Sequence, residues 1–517
     1  MTRLSREKIV FLVLGLILVC YPFIYFGHYA GDAIIHLVFG ENASKGHLFE
    51  FNFGEKSSGE SSVGFMLYIA LLFRILPAEM VPIAVKLINY FSWLLFLYLF
   101  YRILKIKKFN KYIIAAALFS LGMLPGSVYN SMNGMENVLF GLVTLSWFYF
   151  ALKYSYFSLD SALSKKHILQ EIIFSFVLGA ATWLRPEALP FFLVALGSRF
   201  LASLVYKQPI ISMSIRSSIS IIAFVPPVAL LSLFIHWQTG MWIQSSVLAR
   251  TMLGKIVSYH IGPFLFDPKM LIRLMAYFPI TFFWILGVIS FFKRDWQKKI
   301  DEFFAITLFI SVIFLFTFVS GVFQLGRYMI FTTPFWMLIA ARGAEYIIPT
   351  KKPLSRAYVL GIFALLFMLI SVYGIETKER FFLGSRDDFL TTINAPNNRQ
   401  KQSDKLYITL GRPELPIVLA GGEVDQRYRL DNRVVIRCLD GRIDAALLKY
   451  FHKSSIDYVG YLRERDVGYF MIDYSIPSFN NTLPEISLKK LKLGEYIDTA
   501  GIHVTYIGEN YYRVEGK

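Results

Sequence analysis

Charge is scarce in this chain. Only 17% of its 517 residues are Asp, Glu, Lys or Arg, against 55% hydrophobic and 17% aromatic. Soluble domains carry about a quarter charged residues, so a wholly water-soluble protein is excluded. Cysteine is scarcer still. Cys20 and Cys438 lie far apart, with no metal-binding spacing and no disulfide framework. The signatures of common soluble sites are missing too: no GxGxxG after a strand, no GxxxxGKS/T, no HExxH and no paired CxxC. These absences argue against a cytosolic nucleotide-sugar fold and a zinc hydrolase, and leave a carboxylate-bound cation open. Long internal repeats and low-complexity tracts are also absent.

What the chain has instead is long apolar runs separated by short basic loops, with a mean hydropathy of +0.50. The formal charge of +17 comes largely from those loops. The excess of Lys and Arg on the cytoplasmic side of membrane proteins explains it, so no nucleic-acid partner is expected. The first apolar run, Ile9–Phe26, is longer than a signal peptide needs and lacks a small-residue cleavage site, so it is expected to stay as a helix. Basic clusters at Arg3/Lys8, Arg102–Lys111, Lys153–Lys166, Lys207/Arg216, Lys293–Lys299 and Lys351–Arg356 are placed inside. The spans are then Ile9–Phe26, Met80–Phe100, Tyr112–Val128, Glu136–Ala151, Ile168–Leu184, Ala188–Val205, Ile219–His236, Leu271–Phe292, Phe303–Gly321, Tyr328–Tyr346 and Ala357–Tyr373. This predicts a polytopic α-helical membrane protein of about eleven helices, N-terminus cytoplasmic, C-terminus outside.

Within the transmembrane part, residues 1–375, residues 29–62 form a first outer loop. Residues 63–76 are too short to cross and are expected to be a juxtamembrane helix. From residue 376 short β-rich runs appear, such as Lys405–Leu410, Val434–Cys438, Tyr469–Asp473 and Ile502–Gly508, beside the helical pattern Asp444–His452. Residues 376–517 therefore read as a small extracytoplasmic α/β or α+β domain. With this topology Asp32, Glu136, Arg185, Glu187 and Arg327 all fall at one membrane level on the outer side. Acids and arginines at the mouths of membrane helices are costly to desolvate and point to function.

The order of these signals resembles the GT-C membrane glycosyltransferases, in particular bacterial arabinofuranosyltransferases and mannosyltransferases that use polyprenyl-phosphate sugars. Gly31-Asp-Ala-Ile-Ile-His36, running through Gly46–Glu55 into Gly59-Glu-Ser-Ser62, is similar to the pattern DDAxIxxRYAxNLxxGxGxxxNxGExxxGxTSPL. Asn133-Gly-Met-Glu-Asn137 is similar to SGMET, Thr182-Trp-Leu-Arg-Pro-Glu187 to LxRPEG, and Gly326-Arg-Tyr-Met329 to xRYL. The matches span residues 28–346. The chain departs from the family where Gly31 replaces the first of two aspartates and where Thr-Ser-Pro is reduced to Ser61-Ser62-Val63.

The resemblance implies an inverting transfer of sugar from a polyprenyl-phosphate carrier to an acceptor hydroxyl of a cell-envelope glycan or glycolipid. The acceptor needs a carboxylate base, and the departing phosphate needs fixed positive charge. Asp32 is expected as the base, and Arg185, Arg327 and Lys86 as phosphate ligands. Glu136, Glu187, His36 and His47 are expected to position substrate or arginines. No protein metal ligands and no cofactor are assigned, and a divalent cation held by Asp32 with Glu136 or Glu55 is left open. The plainer alternatives are that Asp32 caps the helix Ala33–Phe39, that Arg185 and Glu187 make a local turn pair, and that Arg327 snorkels. Competing functions are a lipid or glycan transporter or flippase, a scaffold or sensor using residues 376–517, and an O-antigen ligase or polymerase.

Overall fold

The structure, a computed structural model, describes residues 6–27, 29, 31–157, 164–205, 210–249, 251–252, 278–293, 299–314 and 330–347. Farther on it describes residues 394–401, 403–404, 406, 419–420, 437–438, 448–449, 461, 464, 469–471, 496–499, 502–508 and 511–516. The expected span Ala357–Tyr373 and the candidate Arg327 lie outside the described residues.

Helix α1 (Arg6–Cys20) ends in a 3-10 turn, Tyr21–Tyr25, started by Pro22. α2 (Gly31–Ser44) and the hairpin β1 (Glu50–Asn52) and β2 (Glu55–Lys56) make up the first loop. α3 (Val63–Ile75) follows, too short at 13 residues to cross a bilayer. α4 (Val81–Ile106) is long enough to do so.

The run expected as one span at Tyr112–Val128 is broken. α5 (Lys111–Met123) and α6 (Pro125–Met132) meet at an angle of 60°. Pro125 is the cause: it drives Leu124 out of the helical region, to φ −56° and ψ 129°, and then starts the next helix at its first position. α7 (Asn137–Lys153), α8 (Lys165–Ala181) and α9 (Ala188–Val205) occupy the expected runs.

α10 (Ile210–Thr239) begins nine residues earlier than expected. Arg216, expected in a cytoplasmic loop, is buried in this helix. It reaches Glu171 of α8, which also accepts both ends of the Arg199 fork and the Ser220 hydroxyl. A buried guanidinium is tolerable only with such partners. Three further helices are Phe278–Phe292, Ile300–Phe314 and Thr333–Ile347. Among the described residues three helices are long and apolar enough to cross a membrane, or four if the bent α5–α6 pair is one span.

An aromatic core around Trp147, Phe148, Phe191, Phe304 and Phe335 joins α7, α9 and the two last helices. A second cluster joins α2, α3 and the hairpin to the end of α10 and to Ala395. In the C-terminal part a mixed six-stranded sheet runs in the order β4-β3-β5-β8-β7-β6. Its strands are β3 (Leu419–Ala420), β4 (Arg437–Cys438), β5 (Tyr469–Met471), β6 (Tyr496–Thr499), β7 (Ile502–Gly508) and β8 (Tyr511–Gly516). β3 is parallel to β4 and β5, and the β5–β8–β7–β6 pairs are antiparallel. Leu406, expected in a strand at Lys405–Leu410, is helical.

Candidate active site

α2 is buried on almost every side, as its sequence GDAIIHLVFGENAS allows, and partly exposed Asp32 lies in its first turn. An acid at that end complements the helix dipole. One turn on, and therefore on the same face, comes His36. Gly40 lets α3 pack closely, since a methyl group there would strike the Ile69 side chain.

Three other segments close on this helix and on the loop that follows it. The turn between α6 and α7 uses Gly134, whose φ of +80° is one that residues with a side chain rarely adopt. A Cβ at Gly134 would stand 3.2 Å from the Ala33 methyl, so the turn lies directly against the start of α2. The backbone N–H of Gly64, at the start of α3, donates to the Trp183 carbonyl in the α8–α9 turn (2.7 Å). The N–H of Ser245, beyond α10, donates to the Ser58 carbonyl and hydroxyl, each at 3.1 Å.

The charges these segments carry form one buried chain of alternating sign. His36 Nδ1 donates to Glu60 at 2.8 Å and 2.9 Å, to its two carboxylate oxygens. His36 Nε2 lies 2.9 Å from Glu136 Oε2, off the line of an ideal hydrogen bond. Arg185 Nη1 donates to Glu136 Oε1 (2.5 Å) and to the side-chain oxygen of Asn137. Its Nε and Nη2 make a two-pronged contact with Glu187 at 3.1 Å and 2.7 Å. Asn130 accepts from Asn133 and Asn137 and so braces the same turn. Burial opposes the charged form of His36. The carboxylates of Glu60 and Glu136 outweigh it, by charge and by hydrogen bond, and raise its pKa to about 10.

Of the residues singled out in the sequence, His36, Glu136, Arg185 and Glu187 are therefore in direct contact as one network, with Asp32 one helical turn from it. Lys86 is not a member of this network but lies beside it, between the α6–α7 turn and Tyr29. Its ammonium donates to the carbonyls of Phe26 (2.7 Å), Met132 (2.9 Å) and Tyr25 (3.4 Å), and lies 3.9 Å from the Tyr29 ring centre. That is the position of a strut holding the 3-10 turn and α6 to α4, a task its sequence position alone did not suggest. His47 pairs with Glu50 (2.9 Å) at the exposed edge of the hairpin, stacked edge-on to Phe53. Arg185 spends at least four of its five N–H groups on Glu136, Asn137 and Glu187.

Sequence reasoning missed Glu60, fully buried and bound both to His36 and to the Ser62 N–H (2.6 Å). The one available signal was an acid alone among glycines and serines. Among the described residues no group of three or more His, Cys, Asp or Glu side chains is arranged to hold a metal ion.

By sequence, no family model and no curated protein matches the chain. Solved structures do match it. The oligosaccharyltransferase of Archaeoglobus fulgidus, tethered to an acceptor peptide containing the NVT sequon, superposes with a TM-score of 0.51 at 11% identity. That match covers 99% of this chain and 74% of the other. ArnT from Cupriavidus metallidurans in the apo state gives a TM-score of 0.50 at 12% identity, covering 98% and 97%. Both neighbours are GT-C membrane glycosyltransferases.

The fold is GT-C. A further structure of the archaeal enzyme, in complex with Zn and sulfate, has a TM-score of 0.50 at 12% identity over 89% of this chain and 67% of that one. At such identities the likeness is one of fold. Within this fold, the first loop of the chain is the element on which the α6–α7 turn, the α8–α9 turn and the segment after α10 converge.

Proposed function

We propose that this protein is an inverting glycosyltransferase of the outer membrane face. It moves a sugar from a polyprenyl-phosphate carrier to a hydroxyl of a cell-envelope glycan or glycolipid. In this reading about eleven helices cross the bacterial plasma membrane, N-terminus inside, and residues 376–517 lie outside. The lipid carrier follows from the location, because a site on the outer face has no supply of nucleotide sugars.

One observation carries the proposal. Four chain segments far apart in sequence meet at the start of α2, and their charged side chains form a single buried network one turn from a partly exposed carboxylate, Asp32. A fold holds five buried charges together at real desolvation cost, and such clusters gather at functional sites. In the proposed chemistry Asp32 takes the proton of the acceptor hydroxyl as its oxygen attacks the anomeric carbon, and the bond from that carbon to the carrier's phosphate oxygen breaks, releasing the polyprenyl phosphate with the electron pair. The network keeps the start of α2 fixed against the two turns. Phosphate contact by Arg185 then means exchanging part of its carboxylate shell for the donor, and Arg327 is proposed as the second cation on its sequence position.

The test is Asp32→Asn, assayed for transfer from a polyprenyl-phosphate sugar and for envelope glycan by mass spectrometry. The expected result is a folded protein with activity down about a hundredfold to ten-thousandfold, the usual worth of a general base. Undiminished product from this variant would falsify the assignment.

A further inference from the structure

His36 is the one histidine in the described site with both ring nitrogens against carboxylates. A neutral imidazole has a single N–H, and its other nitrogen is an acceptor that repels a carboxylate. The positions of Glu60 and Glu136, 2.8 Å from Nδ1 and 2.9 Å from Nε2, are therefore those of partners to an imidazolium. All three side chains are at most 3% exposed, so water does not screen them. Phe65 closes the ring's surroundings edge-on at 5.3 Å.

Two carboxylates from two different loops, facing each other across a dry gap, are what a divalent cation ordinarily bridges. Here the gap is filled by an organic cation. The facing carboxylate oxygens are taken by the ring, and the ring's two nitrogens point in opposite directions, so no third donor converges on either. Gly31 at the start of α2 also supplies no second carboxylate beside Asp32. The donor set does not fit a metal between these two glutamates.

We infer that His36 serves as a resident cation at the Glu60–Glu136 junction, joining the first loop to the α6–α7 turn where a divalent ion would otherwise be needed. This rests on the reading of that loop as the active site. His36 is then a positioning residue: it acts on substrate only through Asp32, one turn away on the same helix face. The charges around it are Glu60 from the loop, Glu136 with Arg185 and Glu187 behind it, and Asp32 on its own helix. Five of these groups alternate in sign from Glu60 to Glu187, and removing the central cation leaves two buried carboxylates facing an empty site.

The experiment uses the full chain in detergent and Mn2+ alone as the probe, read by electron paramagnetic resonance and by melting temperature. The wild-type protein is expected to take up no stoichiometric Mn2+ at this junction and to show no Mn2+-dependent shift. His36→Ala is expected to gain one Mn2+ per chain and to melt higher when Mn2+ is present. His36→Gln, closer in size, serves as a second neutral variant with the same expectation. His36→Lys, which keeps the charge, is expected to remain indifferent to Mn2+. Tight Mn2+ uptake by the wild type that is lost in Glu60→Gln or Glu136→Gln overturns the inference, as does a folded neutral variant that ignores Mn2+. Metal uptake reads the carboxylate gap whether or not the chain transfers sugar, so this result and that of Asp32→Asn fail separately.

Discussion

At the scale of single residues, the protonation of His36 has a measurable signature. Its pKa rises from the ordinary 6.5 to about 10 in the folded protein, and α2 is not among the helices long and apolar enough to cross a membrane. A raised histidine pKa adds stability that is fully present below pH 6.5, where both folded and unfolded chains hold the proton. The contribution drains away as pH climbs from 6.5 to about 10. The melting temperature in detergent should fall across that window, and the fall should be shallower in His36→Gln. Equal slopes in the two proteins would show that His36 is not charged. The same scale marks how far the sequence could be read. Asp32, Glu136, Arg185 and Glu187 stood out because acids and arginines are rare at the edges of apolar runs. Glu60 did not, because its importance comes from a partner 24 positions away, and no local pattern carries that information. The contacts Lys86 makes with the carbonyls of Tyr25, Phe26 and Met132 were hidden for the same reason, since bonds to backbone carbonyls leave no trace in sequence.

Among the helices, hydrophobic runs located most elements well, down to both ends of α9, because lipid and core both demand apolar side chains over a fixed length. They failed where a run of uniform polarity conceals a change of direction. Pro125 splits one expected span into α5 and α6, and hydropathy does not register the 60° turn. They failed again at the start of α10, where polar residues are helical because Glu171 pairs with Arg216. Close packing between helices depends instead on glycine. A methyl group at Gly343 would land on the Phe283 carbonyl oxygen, and one at Gly287 on that of Ile339, so the helices Phe278–Phe292 and Thr333–Ile347 touch backbone to backbone. Gly343→Ala should therefore cost about 1–3 kcal/mol through forced separation. Gly197→Ala is the control. It has nothing within 4 Å, and it should be neutral or stabilising by about 0.5–1 kcal/mol through better helix propensity. Melting temperatures of the two purified variants decide, and similar losses at both positions would rule out the packing argument.

For the molecule as a whole, the question is how the C-terminal region communicates with the first loop. The helical stretch 394–401 lies against α2, with Ala395 in the core cluster that α2 and α3 build. Arg399 makes a two-pronged ion pair with Glu41, at 2.6 Å and 2.5 Å, about two and a half turns along the helix from Asp32. Burial tends to raise the pKa of Glu41, but Arg399 and then Lys45 outweigh it and hold it below the usual carboxylate range. That contribution is present above the ordinary carboxylate pKa and is lost as pH falls through the lower folded value. Arg399→Ala leaves a buried carboxylate with only Lys45, and the latch should weaken by about 2 kcal/mol, the scale of a charge-assisted hydrogen bond. Arg399→Lys should recover little, since an ammonium cannot reproduce the planar fork. Hydrogen exchange is the direct measurement. Amides of α2 and of residues 394–401 should exchange faster together in Arg399→Ala, while those of α8 and α9, braced by Glu171 and Arg199, stay as they were. If α2 keeps its full protection when the latch is cut, the C-terminal region holds the first loop by some other contact, and the orientation of Asp32 is set within the helical part alone.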